Sequence, residues 1–353
     1  MIKICGTGSA LPARTVTNDE LSKIVDTSDE WIKSRTGIGK RHLAVEETTT
    51  EMAVRAAKQA LLEAGMEAEE LDVIIAATLS PDHVLPTLSC EVQAKLGAAR
   101  AVAFDLHAAC SGFLFSMNTA AAYMNSGVYE NALVIGAETL SKMLDWTDRG
   151  TCVLFGDGAG AAVLRWTEDG SGSSSGLRAF VQHSDGARGG VLACGGRPAC
   201  HPFLQEGQEA HGARPASENT DAAGMPRGGA ASARGADESY VTMDGQAVYK
   251  FAVGTVPGVV TEAVEKAGLA LDDIDCFVLH QANRRIIESV AKRLKQPLEK
   301  FPMNVQECGN ISAASVPILL DSLNKRGKLQ RGERIVLAGF GAGLTWGAAV
   351  VEW

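Results

Sequence analysis

The sequence predicts an α/β protein built from two similar halves. Short apolar strands alternate with amphipathic helices along the 353 residues, an order typical of α/β layers. The chain also resembles itself: residues 64–75 match 267–278, and 155–163 match 340–350, in the same order. Two ordered matches indicate a duplication. The alternative is chance similarity between common helix–turn–strand patterns.

The individual elements follow from hydrophobic periodicity and from residues typical of helix ends. Predicted helices lie near 18–26, 50–65, 87–96, 111–126, 246–267, 283–295 and 312–326. Predicted strands lie near 2–8, 72–79, 101–105, 131–137, 152–155, 160–166, 276–280, 334–339 and 346–352. This divides the chain into an N-terminal half at 1–170, a connecting region at 171–245 and a C-terminal half at 246–353.

One stretch of the connecting region differs from the rest. Residues 195–238 are rich in Gly, Ala, Pro, Ser, Glu and Arg, and they contain almost no large apolar side chains. Such a segment has little to bury in a core. We predict a long surface loop, inserted into the fold, without a catalytic residue.

Composition and charge argue against several classes of function. A net charge of −9 is unfavourable for general nucleic-acid binding. No apolar run reaches membrane-spanning length, and the N-terminus lacks a signal-peptide layout, so we expect a cytoplasmic protein with no membrane partner. The eight cysteines form no C-x-x-C pair, which in so long a chain indicates reduced thiols and neither a disulfide framework nor a metal site.

Cys110 is the leading candidate for a nucleophile. It follows a predicted strand and directly precedes a helical pattern that starts at Ser111. A thiol at a helix N-terminus meets unpaired N–H groups and the positive end of the helix dipole, and both favour the thiolate. A buried structural cysteine is the alternative.

Two further polar residues occur where ligands bind in α/β folds. His280 ends the predicted strand 276–280, at the carboxyl edge of a sheet. Asn310 precedes a helix rich in small residues, so a helix cap is its alternative role. A cysteine nucleophile with two side chains able to donate hydrogen bonds to an oxyanion forms a chemically coherent set.

With these residues the chain resembles the β-ketoacyl-acyl-carrier-protein synthase III family of the thiolase superfamily. The matching segments occur along the whole chain, and only the insertion 195–238 has no match. They are residues 6–12, 26–32, 35–38, 108–113, 147–151, 155–161, 280–283, 309–317 and 339–347.

The resemblance implies a duplicated, five-layered α/β/α/β/α sandwich that pairs as a homodimer. It implies the initiating condensing enzyme of fatty-acid synthesis, an acyltransferase. Cys110 would take an acyl group from a short acyl-coenzyme A. His280 and Asn310 would hold the malonyl thioester carbonyl while malonyl-acyl carrier protein loses CO₂, and the carbanion would attack the acyl-cysteine. Coenzyme A thioester is the substrate, and neither a cofactor nor a metal is implied.

The resemblance also assigns binding residues. Trp31 would stack on the adenine, with Arg149 on the other adenine face. Other implied contacts to substrate are Arg35, Thr36, Tyr249 and Asn283. Phe340 would shape the decarboxylation site, and backbone N–H groups at Cys110 and near Ala342 would form the oxyanion hole. Docking of the acidic carrier protein would involve Lys250, Arg285, Lys292 and Arg293.

Several positions depart from the family's usual pattern. Ala342 stands where the family often has Gly, so we predict a negative φ there. Tyr249 stands where an apolar aromatic is common. Leu85 stands where the acyl pocket is closed from the partner chain, sometimes by Phe. We expect Leu85 to shift primer choice modestly towards longer or branched short chains.

Other activities would use the same nucleophile. A thiolase usually needs a second cysteine near the C-terminal glycine turn, and residues 335–353 contain none. A hydroxymethylglutaryl synthase needs a glutamate base, for which Glu91 stays open. A related synthase of secondary metabolism and a cysteine hydrolase using Cys110 and His280 are further alternatives.

Overall fold

A computed structural model gives the structure of the protein and describes residues 1–168, 176–196 and 239–353. The predicted insertion 195–238 lies outside the described residues except for Gly195 and Gly196.

The described residues form helices and strands in alternation, as predicted. The helices are α1 (Asn18–Leu21), α2 (Asp29–Thr36), α3 (Thr49–Ala64), α4 (Leu88–Leu96), α5 (Gly112–Asn125), α6 (Gly245–Lys266), α7 (Arg284–Leu294), α8 (Val305–Cys308) and α9 (Ser315–Lys325). The strands are β1 (Ile2–Ala10), β2 (Thr15–Thr17), β3 (Lys40–His42), β4 (Val73–Ala77), β5 (Val102–Leu106), β6 (Asn131–Thr139), β7 (Asp157–Trp166), β8 (Gly176–Ser184), β9 (Leu192–Ala193), β10 (Thr242–Met243), β11 (Cys276–Leu279), β12 (Arg334–Gly341) and β13 (Thr345–Glu352).

Two mixed sheets repeat one strand order. The N-terminal sheet runs β1-β7-β6-β4-β5, and the C-terminal sheet runs β8-β13-β12-β11. β4 is parallel to β6 as β11 is parallel to β12, and the remaining pairs within the shared order are antiparallel. The duplication read from the sequence is therefore present in the topology, with β5 having no strand counterpart among the described C-terminal residues.

Three clusters of buried side chains stack the sheets and helices into five layers. α3 and α4 cover the outer face of the N-terminal sheet, and α6 and α7 cover the outer face of the C-terminal sheet. Between the sheets, α5 and α9 bury side chains such as Met117 and Leu320 against both of them. This arrangement is the predicted α/β/α/β/α sandwich, and it brings the N-terminal ends of two central helices together.

Two predicted elements differ in the structure. Residues 152–155 form a turn, and Phe155 makes only an isolated bridge to Asn310. Cys152 and Val153 are apolar because they fill a small core with Leu21 and Ile32, so their hydrophobicity reflects burial and not a strand. The helix predicted at 18–26 ends at Leu21, where Ser22 is the C-cap.

The connecting region also differs from its predicted bounds. β8, within 171–245, pairs with β13 and so belongs to the C-terminal sheet. Arg178 interrupts its apolar residues, and Gln182 and His183 follow them, so it lacks the long apolar run by which a buried strand is recognised.

Candidate active site

A cavity of about 610 Å³ leads from the surface to the N-terminal end of α5. Its floor brings together Cys110, His280 and Asn310, which lie far apart in the chain. Its walls include most of the other predicted contacts: Trp31, Arg35, Thr36, Arg149, Tyr249, Asn283, Arg285 and Phe340. The cavity also includes Leu192 and Met243, which sequence reasoning did not single out.

Cys110 lies in a single 3₁₀ turn, Ala109–Ser111, which continues directly into α5. Ala109 has a φ of 45°, an unusual value for a residue with a side chain, and this bend turns the chain sharply ahead of the cysteine. Gly341 of β12 packs on the other side, since a Cβ there would lie 2.8 Å from both the Cβ and the backbone N of Cys110. The nucleophile is thus held between the two halves.

The Cys110 sulfur is buried at the end of the cavity, where desolvation favours the thiol over the thiolate. Burial raises its pKa to about 12, the Glu138 carboxylate raises the pKa further, and the Ser312 hydroxyl lowers it. Desolvation therefore opposes the ionisation that the helix N-terminus favours. Acyl transfer requires that the thiol proton go elsewhere.

His280 is a neutral hydrogen-bond donor. It is 1% exposed, and burial lowers the pKa of its imidazole to about 3. The Phe340 ring stands edge-on to the imidazole with centroids 5.2 Å apart. Among the described residues, His280 Nδ1 is buried without a hydrogen-bond partner. A neutral ring with free hydrogen-bonding capacity is suited to binding an oxyanion.

The backbone of Asn310 is held in place by hydrogen bonds to the segment 154–156, next to the turn found where a strand was predicted. Its backbone N donates to Leu154 O at 2.9 Å, and its carbonyl accepts from Gly156 N at 3.0 Å. The approach is close, because a Cβ at Gly156 would lie 2.4 Å from Cys308 O. Asn310 Oδ1 accepts from Ser312 N at 2.9 Å, so the side-chain oxygen caps the next turn while the amide nitrogen remains available as a donor.

Arg149 lies against Trp31 in the wall of the cavity. The Arg149 guanidinium carbon lies 5.2 Å from the centre of the Trp31 ring, and Arg149 Nη1 donates to Asp26 O. An adenine between the two groups would need roughly 7 Å, twice the van der Waals contact distance. The implied adenine sandwich therefore requires the Arg149 side chain to move.

Comparison with known proteins gives the same assignment as the motifs. Residues 104–186 match the family model described as 3-oxoacyl-[acyl-carrier-protein (ACP)] synthase III, and residues 264–353 match that of its C-terminal part. The β-ketoacyl-[acyl-carrier-protein] synthase III of Clostridium acetobutylicum is 44% identical and that of Desulfitobacterium hafniense 45% identical, each covering 100% of this chain and 98% of the relative.

The chain belongs to the β-ketoacyl-acyl-carrier-protein synthase III family. The crystal structure of the 3-oxoacyl-[acyl-carrier-protein] synthase III of Aquifex aeolicus covers 100% of both chains at 42% identity, with a TM-score of 0.85. These findings confirm the predicted thiolase fold and the predicted activity, an acyltransferase that is the initiating condensing enzyme of fatty-acid synthesis.

Two of the synthase's predicted substrate contacts also make hydrogen bonds within the protein. Thr36 Oγ1 donates to Ile32 O at 2.6 Å and accepts from Ile38 N, so its hydroxyl is already used at the end of α2. Asn283 caps α7 by accepting from Arg285 N, and its Nδ2 donates to Arg35 O at 3.1 Å. One N–H of Asn283 is left for a ligand.

The remaining predicted residues lie away from the cavity floor. Leu85 is 82% exposed, and Lys250 and Lys292 are exposed on α6 and α7. Arg293 is also exposed, and its Nη1 donates to Val253 O. Ala342 is half-buried beside Gly341. Its φ is not positive, as predicted.

Three further features of the described residues concern metal sites, membrane-spanning helices and disulfides. No group of three or more acidic, His or Cys side chains could hold a metal ion in the part of the chain that the structure describes. Within the same residues, none of the helices has the length and apolar character needed to span a membrane. The described cysteines, including Cys110, Cys152 and Cys308, are all free.

Proposed function

We propose that the synthase acylates Cys110 from a short acyl-coenzyme A and then condenses the acyl group with malonyl-acyl carrier protein. The observation that carries this proposal is the meeting of Cys110, His280 and Asn310 at the floor of one cavity. The sulfur forms the bond to the acyl carbon, the bond from that carbon to coenzyme A breaks, and the released coenzyme A thiolate takes up a proton in place of the one that Cys110 loses. The product is a 3-oxoacyl-acyl carrier protein.

His280 and Asn310 act in the second half-reaction. Loss of CO₂ from the malonyl group places negative charge on the thioester oxygen, and two neutral N–H donors stabilise it. Neutral donors fit because the lowered pKa of His280 keeps its ring uncharged at neutral pH. The enolate then attacks the acyl-cysteine carbonyl, and the Cys110 sulfur leaves.

Trp31 and Arg149 bind the nucleotide end of coenzyme A, with Arg35 beside them, and Tyr249 and Asn283 line the path of the pantetheine arm. This assignment is supported by their position along the wall between the surface and Cys110. Tyr249 is held by a 2.9 Å hydrogen bond to Ser289, and the Arg285 guanidinium lies 5.7 Å from the centre of its ring.

The carrier protein docks at the cavity mouth. Arg285 lies there, and Lys250 follows Tyr249 on α6, so both offer positive charge close to the entrance of a chain that is acidic overall. Lys292 and Arg293 extend this charge along α7. The homodimer is supported by the exposure of Val84 and Leu85, at 83% and 82%, since adjacent exposed apolar side chains are typical of an interface. The cytoplasmic location stays a prediction.

The test is a two-step assay with acetyl-coenzyme A and malonyl-acyl carrier protein. The wild type should first form acetyl-Cys110, detected by mass spectrometry, and then release CO₂ with the 3-oxoacyl product. Cys110→Ser should form neither, because a serine hydroxyl is a much weaker nucleophile than a cysteine sulfur. Cys5→Ser, outside the cavity, should behave as wild type. Thioester hydrolysis without loss of CO₂ would instead indicate the hydrolase alternative.

A further inference from the structure

Arg41 is the largest side chain that is completely buried among the described residues. It is the middle residue of β3, and its neighbours Lys40 and His42 are only half-buried. Because successive side chains of a strand point to opposite faces, Arg41 points into the protein. Burial lowers the pKa of its guanidinium to about 10, which leaves the group charged at neutral pH. The protein therefore keeps a positive charge in its interior.

This charge donates its hydrogen bonds to neutral groups. Arg41 Nη2 donates to Val153 O at 2.7 Å, and Nη1 donates to Asn18 Oδ1 at 2.8 Å and, at 3.4 Å, to Val16 O. In the part of the chain that the structure describes, no carboxylate forms an ion pair with Arg41. A buried charge without a counter-ion is costly, and an apolar side chain of similar volume would fill the space at lower cost. The position therefore points to a need for the hydrogen-bond donors themselves.

Asn18 holds one side of the guanidinium in place. Asn18 is itself completely buried, and its Nδ2 donates to Asp29 Oδ1 at 2.9 Å and to Ile38 O at 2.8 Å. Both N–H groups of the amide are thus in use, so its oxygen is turned towards Arg41. The guanidinium is a rigid planar fork, and fixing one of its nitrogens fixes the direction of the other, towards Val153.

The carbonyl that accepts from Arg41 belongs to the segment that holds Asn310. Val153 is followed by Leu154, whose carbonyl accepts from Asn310 N at 2.9 Å. Two residues later, Gly156 N donates to Asn310 O at 3.0 Å. The hydrogen bond from Arg41 to Val153 therefore fixes the start of the segment on which the backbone of Asn310 rests.

The stem of Arg41 packs against glycines on both sides of this contact. A Cβ at Gly156 or at Gly309 would lie 3.3 Å from the Cβ of Arg41. Gly309 directly precedes Asn310 and has a φ of 69°, a conformation that glycine adopts without strain. A displacement of Arg41 therefore reaches Asn310 by two routes, through the hydrogen bond to Val153 and through the packing on Gly309.

We infer that Arg41 is a positioning residue for Asn310, and that it sets the place of the Asn310 amide for the loss of CO₂ from the malonyl group. This inference rests on the proposed role of Asn310 as a donor to the thioester oxygen. Such a donor is effective at about 2.7–3.1 Å from the position that the oxyanion will occupy, so a small displacement of the Asn310 backbone weakens it. Arg41 itself does not touch the substrate in this scheme.

The nucleophile is held by contacts that do not involve Arg41. Gly341 of β12 packs against the turn of Cys110, since a Cβ there would lie 2.8 Å from the backbone N of Cys110. The next residue, Ser111, donates from its hydroxyl to Thr345 O at 3.0 Å. Both contacts join the cysteine turn to the C-terminal sheet. A change at Arg41 is therefore expected to affect decarboxylation and to leave acylation of Cys110 nearly intact.

The experiment measures the two half-reactions separately in the full-length protein, as ¹⁴CO₂ release from malonyl-acyl carrier protein and as single-turnover acetylation at saturating acetyl-coenzyme A. Arg41→Lys keeps the charge and loses the two-nitrogen fork. It should slow CO₂ release on the order of 10- to 10²-fold, the cost of displacing a reacting group by up to roughly 1 Å. Acetylation should stay close to the wild-type rate. Arg178→Lys, at the β8 arginine that pairs with Glu352, is the matched control and should keep both rates.

A double variant separates positioning of Asn310 from a general loosening of the fold. If Arg41 acts through Asn310, Arg41→Lys should cause no further loss of CO₂ release once Asn310 is replaced by Ala, because the two changes then remove the same interaction. A further loss of CO₂ release in the double variant would overturn the inference. Equal loss of both half-reactions in Arg41→Lys alone would overturn it as well.

Asn18→Ala provides the test if Arg41→Lys does not fold. It removes one acceptor of the guanidinium and leaves Arg41 in place, so CO₂ release should fall several-fold while acetylation is kept. Unchanged CO₂ release in Asn18→Ala would refute the inference. The proposed function fails on different results: no acetyl-Cys110 in the wild type, or full CO₂ release by Asn310→Ala.

Discussion

The two central helices begin in nearly the same way but carry different chemistry. Before α5, Ala109 has a φ of 45° and a 3₁₀ turn follows; before α9, Ser312 has a φ of 44° and a 3₁₀ turn follows. At the position after the bend, one turn has Cys110 and the other has Ala313. A duplicated backbone thus supplies the nucleophile from one half and its polar neighbours, Asn310 and Ser312, from the other.

The second difference between the halves explains how Asn310 reaches the site. The N-terminal half has β5 ahead of its turn, whereas the corresponding C-terminal residues contain the short helix α8 and no strand among those described. Because this segment belongs to no sheet, the backbone of Asn310 can hydrogen-bond to Leu154 and Gly156 of the other half. The loss of one strand places an amide side chain beside the cysteine.

The largest expected effect separates the two half-reactions. His280→Ala should slow malonyl decarboxylation on the order of 10²–10³-fold, because it removes one oxyanion donor. Acetylation of Cys110 should change far less, since His280 and Asn310 act on the malonyl thioester and not on the Cys110 thiol. The two rates are measured separately, as ¹⁴CO₂ release and as single-turnover acetylation.

Equal loss of both rates in His280→Ala would show that His280 is the base for Cys110, and the division between the halves would fail. The pH dependence gives an independent check. Since the pKa of His280 is lowered to about 3, the ring is neutral above that value, and decarboxylation by the wild type should show no histidine titration between pH 5 and 8.

The close contact between the halves is tested at Gly341. In Gly341→Ala, the new Cβ would lie 2.8 Å from the backbone N of Cys110, so the cysteine turn must shift. Acetylation should fall about 10²-fold, the typical cost of misplacing a reacting group by roughly 1 Å. Gly254→Ala, in α6 with nothing within 4 Å of its Cβ, is the matched control and should keep full activity. Full activity in Gly341→Ala would show that the contact yields without cost.

Arg149 tests whether residues at the cavity mouth affect binding of coenzyme A and not the chemical step at the floor. Arg149→Ala removes a cation from an exposed aromatic face, an effect of only a few-fold in binding. We expect KM for acetyl-coenzyme A to rise two- to fivefold with kcat nearly unchanged. Lys33→Ala, on α2 but paired with Asp29, is the control. A fall in kcat without a change in KM would place Arg149 in the chemistry and not in nucleotide binding.

Leu85 tests whether a second chain shapes the acyl pocket. Leu85→Phe should lower kcat/KM for butyryl- and isobutyryl-coenzyme A several-fold relative to acetyl-coenzyme A, as about one methylene's worth of space is lost. Val84→Phe changes the neighbouring exposed residue and is the control. An unchanged ratio in Leu85→Phe would show that Leu85 does not reach the pocket.

The smallest effect is expected at the insertion. Leu192–Ala193 pairs with Thr242–Met243, so the two ends of the intervening segment are already adjacent. Replacing 197–238 with a short Gly-Ser turn should change the free energy of unfolding by about 1 kcal/mol or less, because loop-closure entropy varies slowly with length. Thermal unfolding measures this, and a large fall in the midpoint would show that the segment packs as part of the fold.

The sequence alone determined the family, the duplicated fold and the three residues at the cavity floor. Repeated helix–turn–strand patterns and ordered motifs are local in sequence, so they can be read without coordinates. The same reasoning failed at 152–155, because an apolar run shows that residues are buried but not whether they form a strand. It missed α2, although Ser28 as N-cap and Gly37 at a φ of 80° mark its ends.

Only the tertiary structure decided the charge states and the competing contacts. The sequence places Cys110 at a helix N-terminus, which favours a thiolate, but burial between two halves raises the pKa of the thiol to about 12. It places Arg149 opposite Trp31 across a nucleotide, but the two side chains touch. Desolvation and proximity depend on what the rest of the chain packs around a residue, and Cys110, His280 and Asn310 meet only after both halves have folded together.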